Sequence, residues 1–445
     1  VPAMTAAGPS PLEPAVGDPA AFPLDETVKG MPPGIAPFPI AAIGAKGWNL
    51  LAEDMPLPLA VLKRAALDHN LDWMARFVDE RGAVLAPHGK TTMAPGLFRE
   101  QVEHGSWAIT VGTIHQAVVA YRHGVRRVLL ANQLIGRQAI RGALDLLRAD
   151  PGFDLLALVD SVASVELLAR AAAADPIGRP IPLLLEMGYA GGRTGCRDTE
   201  TALAVASAVK DAAPYLELRG IEGFEGLVSG RTIDEAADQV RLFLEQMVAM
   251  AAAAGAGGLF ADGPIILSAG GSAFYDIVVD RFRRAGLERD VLLVSRSGCY
   301  ITHDSLMYRD FFAAVRGRTP QVDQLGTGLQ PALEVWAYVQ SRPEPGKVIL
   351  TMGQRDVGVT GGLPQAQVWH RPGAAGSPAP LDGDHIVTGL NDQHCHMTVP
   401  AASPLQVGDM VGFGVSHPCV TFDKWQVLPV VDDAYTIVGA YRTFF

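Results

Sequence analysis

The sequence contains no Lys/Arg-rich run and carries a formal net charge of −11, whereas a binder of nucleic-acid phosphates needs the opposite sign. No apolar run approaches the roughly 20 residues of a membrane-spanning helix. The first twenty residues also lack the charged-then-apolar order of a secretory signal. Cysteine is scarce: Cys196, Cys299, Cys395 and Cys419 lie far apart, without CxxC spacing or the density of a secreted disulfide scaffold. Such thiols suit a reducing cytoplasm. Aromatic residues reach only 7% and charged residues 19%, against 49% hydrophobic, so the core is aliphatic and well supplied. These absences leave work on small molecules, with no nucleic-acid or membrane partner, as the expectation.

A chain of 445 residues suits a large barrel with one smaller domain. Eight short aliphatic runs alternate with longer amphipathic segments between Leu57 and Thr302. The runs are 83–86, 107–111, 128–131, 155–159, 182–187, 217–222, 265–268 and 291–295. Eight parallel strands over this length predict a (β/α)8 TIM-type barrel. An open doubly wound sheet would alternate in the same way, but it usually carries a GxGxxG turn after its first strand, where this chain reads Pro87, His88, Gly89, Lys90. Beyond Asp304 the runs become short, β-branched and separated by Gly, Pro and Asp, which predicts a C-terminal all-β domain. The expected division is an N-terminal arm over 1–56, partly joining the β domain, a barrel over 57–304 and a β domain over 305–445. Val1, Pro2 and Ala3 ahead of Met4 read as an added remnant, and the stretch to about Pro39 as a loose arm.

Barrel chemistry collects on the loops after the C-terminal strand ends. After the first strand stand His88 and Lys90. A lysine in a partly desolvated pocket there would have the lowered basicity that Schiff-base chemistry requires, although a strand-end lysine taken alone is more often a solvated loop residue. After the seventh strand come Ser268, Gly270 and Gly271, and after the eighth Arg296, Gly298 and Tyr300. Glycines in those two loops let backbone N–H groups approach a phosphate, or simply make tight turns. The fifth strand is followed by Arg193 among glycines, placed to meet an oxyanion or to form a structural ion pair. In the β domain, His394, Cys395 and His396 precede Ser416, His417, Pro418 and Cys419. His417 and Cys419 are ligand types suited to zinc, and on an extended strand they would share one face. Packed histidine and buried cysteine are the alternative.

Taken together, Pro87–His88–Gly89–Lys90–Thr91 and Ser416–His417–Pro418–Cys419 with Thr421 resemble the D-threonine aldolase and D-serine dehydratase family, pyridoxal-phosphate enzymes of the alanine-racemase type. The resemblance runs from about Leu57 to the C-terminus. It implies that Lys90 is the Schiff-base lysine and the base at Cα, that Arg193 faces the cofactor's 3-oxygen, and that the Gly270, Gly271 and Gly298 loops with Tyr300 hold its phosphate. His417 and Cys419 are then the metal pair, for Zn2+ or Mn2+, with thiolate tilting toward zinc. Ser268 and Arg296 join the cofactor group, and His88 and His394 are catalytic candidates. The implied reaction is dehydration and deamination of a D-serine-like substrate to a 2-keto acid and ammonia. Retro-aldol cleavage to glycine and an aldehyde is the alternative. Aldolase relatives commonly place a histidine after the sixth strand, where this chain reads Gly223, Phe224, Glu225, Gly226, Leu227. A racemase, which needs no metal, and a non-catalytic cofactor carrier are further alternatives. The resemblance also implies a homodimer.

Overall fold

The computed structural model describes residues 19–445, and the first part of the expected arm, Val1 to Asp18, lies outside the described residues. Eight parallel strands form the first sheet: β1 (Val84–Leu85), β2 (Ile109–Val111), β3 (Arg127–Gln133), β4 (Asp154–Val159), β5 (Ile181–Met187), β6 (Leu216–Gly223), β7 (Ile265–Ala269) and β8 (Val291–Ser295). They hydrogen-bond in sequential order, and β1 also pairs with β8. Closure comes from Trp107 and Thr110, whose amides donate to the carbonyls of Leu85 and Pro87 at 2.7 and 2.8 Å. All eight runs anticipated from the sequence are strands of this barrel.

The strands read as continuous aliphatic stretches because both faces are covered. With a side-chain period of two, Leu156 and Leu158 of β4 turn inward with Leu129, Leu184, Ile266 and Val294 to fill the barrel. Leu155, Ala157 and Val159 turn outward into the layer shared with the helices. Helix α1 (Arg64–Asp79) precedes the barrel. The strands are then followed in turn by α2 (Pro95–Glu103), α3 (Ile114–Arg122), α4 (Arg137–Ala149), α5 (Val162–Ala174), α6 (Thr199–Asp211), α7 (Ile233–Ala256), α8 (Tyr275–Arg283) and α9 (Met307–Arg318). Side-chain caps start several of them: Thr113, Ser161, Asp198 and Thr232 accept from the backbone N–H three residues on, satisfying amides that the first turn leaves unpaired. Helix α9 lies past residue 304 yet packs its Phe312 edge-on against Trp73 of α1 at 5.5 Å, so the helical ring extends beyond the expected barrel boundary.

The second sheet is antiparallel in the main. Its central path runs through β9 (Leu333–Glu344), β10 (Lys347–Leu350), β11 (Gln365–His370), β12 (Ile386–Leu390), β13 (Cys395–Thr398) and β14 (Met410–Gly414), with β15 (Val427–Val431) and β16 (Ile437–Arg442) beside it. The strand Leu59–Lys63 also belongs here, antiparallel to β9 and parallel to β15, although the chain enters α1 directly after it. From Pro19 on, the arm is ordered and not loose: Pro23–Leu24 pairs with Phe38–Pro39. Leu24, Val28, Met31 and Phe38 are buried. Lys29 anchors the arm to the β domain through Asp356 at 2.8 Å and the Trp425 ring at 3.8 Å. Apolar side chains every few residues outweigh the Pro and Gly content there. Among the described residues, no helix is long and apolar enough to cross a membrane.

Candidate active site

The strand ends bring most of the expected residues together. Lys90 sits in a single 3-10 turn, Gly89–Thr91, directly after β1. Its side chain is exposed in the barrel mouth, passing close to Gly112, and not in the partly desolvated pocket the sequence suggests. The turn carries it off the strand end toward the open face. His88 behind it is half-buried. Burial, reinforced by the positive charges of Arg296, Lys90 and Arg193, holds its imidazole well below the usual histidine range, so it is neutral, and its Nδ1 meets no partner among the described residues.

The loops after β7 and β8 are joined to each other and to His88. Gly270 has φ +154, and a Cβ there would lie 2.5 Å from the Arg296 amide nitrogen. A Cβ on Gly298 would stand 2.5 Å from His88 Cβ and 2.7 Å from its carbonyl oxygen. Ser272 Oγ accepts from the Cys299 amide at 3.1 Å and from Ser297 Oγ at 3.3 Å. Ser268 is buried with its hydroxyl unpartnered. Arg296 is 1% exposed, ion-paired with Glu222 and donating to the Gly223 carbonyl at 2.6 Å, while its Nε remains unmatched. Tyr300 is buried, its hydroxyl accepting from Gln101 at 3.4 Å. Arg193 lies exposed over the Phe224 ring at 4.4 Å. His394 is exposed in the turn between β12 and β13, outside this group.

Three carboxylates that the sequence reading passed over line the same end. Glu186 accepts from Thr194 at 2.8 Å and pairs with Gln133. Burial pushes Glu222 up to about 8 despite Arg296. A fully enclosed carboxylate loses more hydration than one guanidinium returns. Glu225 is fully buried, is also raised by burial, and receives the Gly271 amide at 2.7 Å. The available signal was an acidic residue at the end of an aliphatic run, at the position where barrel chemistry gathers.

His417 and Cys419 do not lie on a strand, as expected from the His-x-Cys pattern. β14 ends at Gly414, and Pro418, at φ −71 and ψ −36, starts the short helix α10 (Cys419–Phe422). Proline has no N–H for a ladder and a φ already set for a helical turn. The two side chains converge nonetheless, joined by Cys299 from the loop after β8: one ligand atom from each lies within 4.8 Å of the others. The sulfurs of Cys299 and Cys419 are 3.8 Å apart, and Cys419 Sγ is 3.4 Å from Thr91 Oγ1. The hydrogen bond shared by the two sulfurs, with His417 adding to it, holds Cys419 well below the usual thiol range and Cys299 well above it. Burial pulls His417 down, but neighbouring Cys419 and Asp304 outweigh it. Thr91, which touches the cluster through Cys419, follows Lys90 directly in the same turn.

Residues 62–273 match the family described as alanine racemase, N-terminal domain, and residues 332–431 the putative serine dehydratase domain. D-threo-3-hydroxyaspartate dehydratase of Delftia sp. (strain HT23) is 29% identical over 161 residues, covering 36% of this chain and 41% of that protein. The match thus spans about two fifths of that relative's length. The D-threonine aldolase of Filomicrobium marinum superposes with a TM-score of 0.71 at 20% identity, covering 89% of this chain and 97% of that one. The solved Delftia dehydratase gives 0.67 at 20% identity, covering 89% and 99%. Alanine racemase of Bacillus anthracis gives 0.54 at 14%, covering 86% and 97%.

Proposed function

Because the chain belongs to the D-threonine aldolase and D-serine dehydratase family of the alanine-racemase fold, we propose that it is a pyridoxal-phosphate- and metal-dependent lyase of D-β-hydroxy amino acids. The reaction is dehydration and deamination of a D-serine-like substrate to a 2-keto acid and ammonia. The observation that carries this reading is the meeting of Lys90, through Thr91, with His417 and Cys419. The serine-dehydratase match over the segment holding both ligands supports it, as does the dehydratase named for the curated relative. Solved structures of that dehydratase include a cysteine-to-alanine variant in the metal-free form.

The residues present fit both groups. Gly270 and Gly298 let the loops after β7 and β8 pack directly on Arg296 and on the His88 backbone, Ser268 and the Arg296 Nε are buried polar groups without partners among the described residues, and Lys90 offers an amine at the mouth. Lys90 would hold the cofactor, with Arg193, Ser268, Gly270, Gly271, Arg296, Gly298 and Tyr300 around it. His417 and Cys419 would hold a divalent metal. When bound, pyridoxal phosphate supplies an electron sink for charge developing at Cα and the metal a Lewis acid for the departing β-oxygen.

The chain's own residues then divide the work. The Lys90 amine would take the Cα proton of the substrate. His88 stays neutral among Arg296, Lys90 and Arg193, so it can accept a hydrogen bond without adding positive charge. Arg193, exposed over the Phe224 ring, would orient an anionic group at the mouth. Glu225 is tied to Gly271 and keeps the loop after β7 in place. Aldol cleavage needs a base at the β-oxygen, and the loop after β6 offers only this engaged, buried carboxyl, which favours dehydration.

The test is incubation of the metal-loaded enzyme with D-threonine and separate assay of 2-oxobutyrate and glycine. Keto acid is expected, with Lys90→Ala inactive. Glycine with acetaldehyde and no keto acid would transfer the chain to the aldolase reaction. Conversion of D-serine to L-serine that survives chelation would make it a racemase.

A further inference from the structure

The two-residue metal motif leaves Cys299 out, yet Cys299 is the residue that ties the motif to the barrel. It lies in the 3-10 turn after β8, is 6% exposed, and has its amide fixed by Ser272 Oγ at 3.1 Å. Its sulfur is 3.8 Å from that of Cys419, and His417 completes a set whose ligand atoms are all within 4.8 Å. A tetrahedral zinc with two thiolates at about 2.3 Å holds its sulfurs about 3.8 Å apart, from twice the bond length and the sine of half the tetrahedral angle. Two thiols in simple contact would give a similar separation. They would not, however, bring in the half-buried His417 imidazole, whose buried Nδ1 meets no partner among the described residues.

We propose that Cys299 is a third protein ligand, so that the ion is held by two sulfurs and one imidazole contributed from both structural units. Three protein ligands leave one position of a tetrahedral ion for the substrate's β-oxygen, the arrangement of a catalytic and not a closed structural site. Two soft thiolates select zinc over manganese more strongly than one. Thr91 Oγ1, 3.4 Å from Cys419 Sγ and 3.8 Å from Cys299 Sγ, is placed to steady both sulfurs from outside the ligand shell. The inference rests on the reading above that a metal binds His417 and Cys419, and it adds a ligand to that site.

X-ray absorption of the zinc-loaded full chain counts the sulfurs without any substitution. Two Zn–S distances near 2.3 Å are expected; a fit with a single sulfur would overturn the proposal while leaving the two-residue site intact. Cobalt-substituted protein gives a second readout in the near-ultraviolet thiolate-to-cobalt band. That band should lose about half its intensity in Cys299→Ser and again in Cys419→Ser, and vanish in the double variant. A band abolished by Cys419→Ser but unchanged by Cys299→Ser overturns the third ligand alone. Failure of the wild-type chain to bind either zinc or cobalt overturns both it and the metal reading beneath it.

Discussion

Gly298 shows how single positions carry the site. Its backbone, at φ −111, suits any residue; what excludes a side chain is the His88 backbone 2.7–2.8 Å from where a Cβ would be. Gly298→Ala must therefore push the β8 loop from the β1 end. Overpacking of this kind costs about 1–3 kcal/mol, and a lower thermal midpoint with weakened cofactor absorbance is expected. His303 offers a pH signature. It is 4% exposed, and burial alone pulls it from 6.5 to about 4. The folded value lies below the unfolded one, so its contribution is fully present above pH 6.5 and is lost as pH falls through 4. The difference amounts to about 3 kcal/mol. His303 has φ +48, a region asparagine tolerates, so thermal melts of His303→Asn between pH 6.5 and 4 should fall less steeply than those of the wild type. Lys90 and the two glycine loops were legible in the sequence because strand ends announce themselves by a break in an aliphatic run. Cys299 was legible only as one of four scattered cysteines, since its partners stand more than a hundred residues away and meet it only after both units fold.

At the scale of elements, the eight barrel strands were readable because each is a short aliphatic run buried on both faces and followed by a polar helix start. The β domain was less so. β12 and β13 are half-exposed, and β15 carries Pro429, which weakens its strand signal. The His-x-Cys segment misled because its pattern fits an extended strand, whereas Pro418 turns it into a helix start, an effect that the proline itself signals. The loop after β6 yields a further prediction. Its Glu225 is the side chain gripping the Gly271 amide, so Glu225→Ala should loosen the β7 loop while sparing the barrel. Losing one such bond is worth roughly 0.5–1.5 kcal/mol. Titration of apoprotein with pyridoxal phosphate should then show affinity reduced about two- to tenfold, with an unchanged far-ultraviolet spectrum; unchanged affinity would leave Glu225 a packing residue only.

Across the whole molecule, the barrel and the β domain are connected by more than the chain that passes between them. The Leu59–Lys63 strand leaves the second sheet to begin α1, and Ser305 donates its amide to the Val415 carbonyl at 3.0 Å. The Cys299, His417 and Cys419 cluster lies on this same seam. An ion that binds the folded arrangement but not the separated units stabilises their docking by mass action, about 2.7 kcal/mol at a hundred times its dissociation constant. Removing it with a chelator should lower the thermal midpoint by several degrees, and zinc should restore it. In Cys299→Ser the same treatment should move the midpoint less, because an ion held from the β domain alone no longer spans the seam. Equal shifts in the wild type and the variant, followed by scanning calorimetry, would mean that the ion reports on the β domain only and that packing along β9 and the Leu59–Lys63 strand holds the two units together.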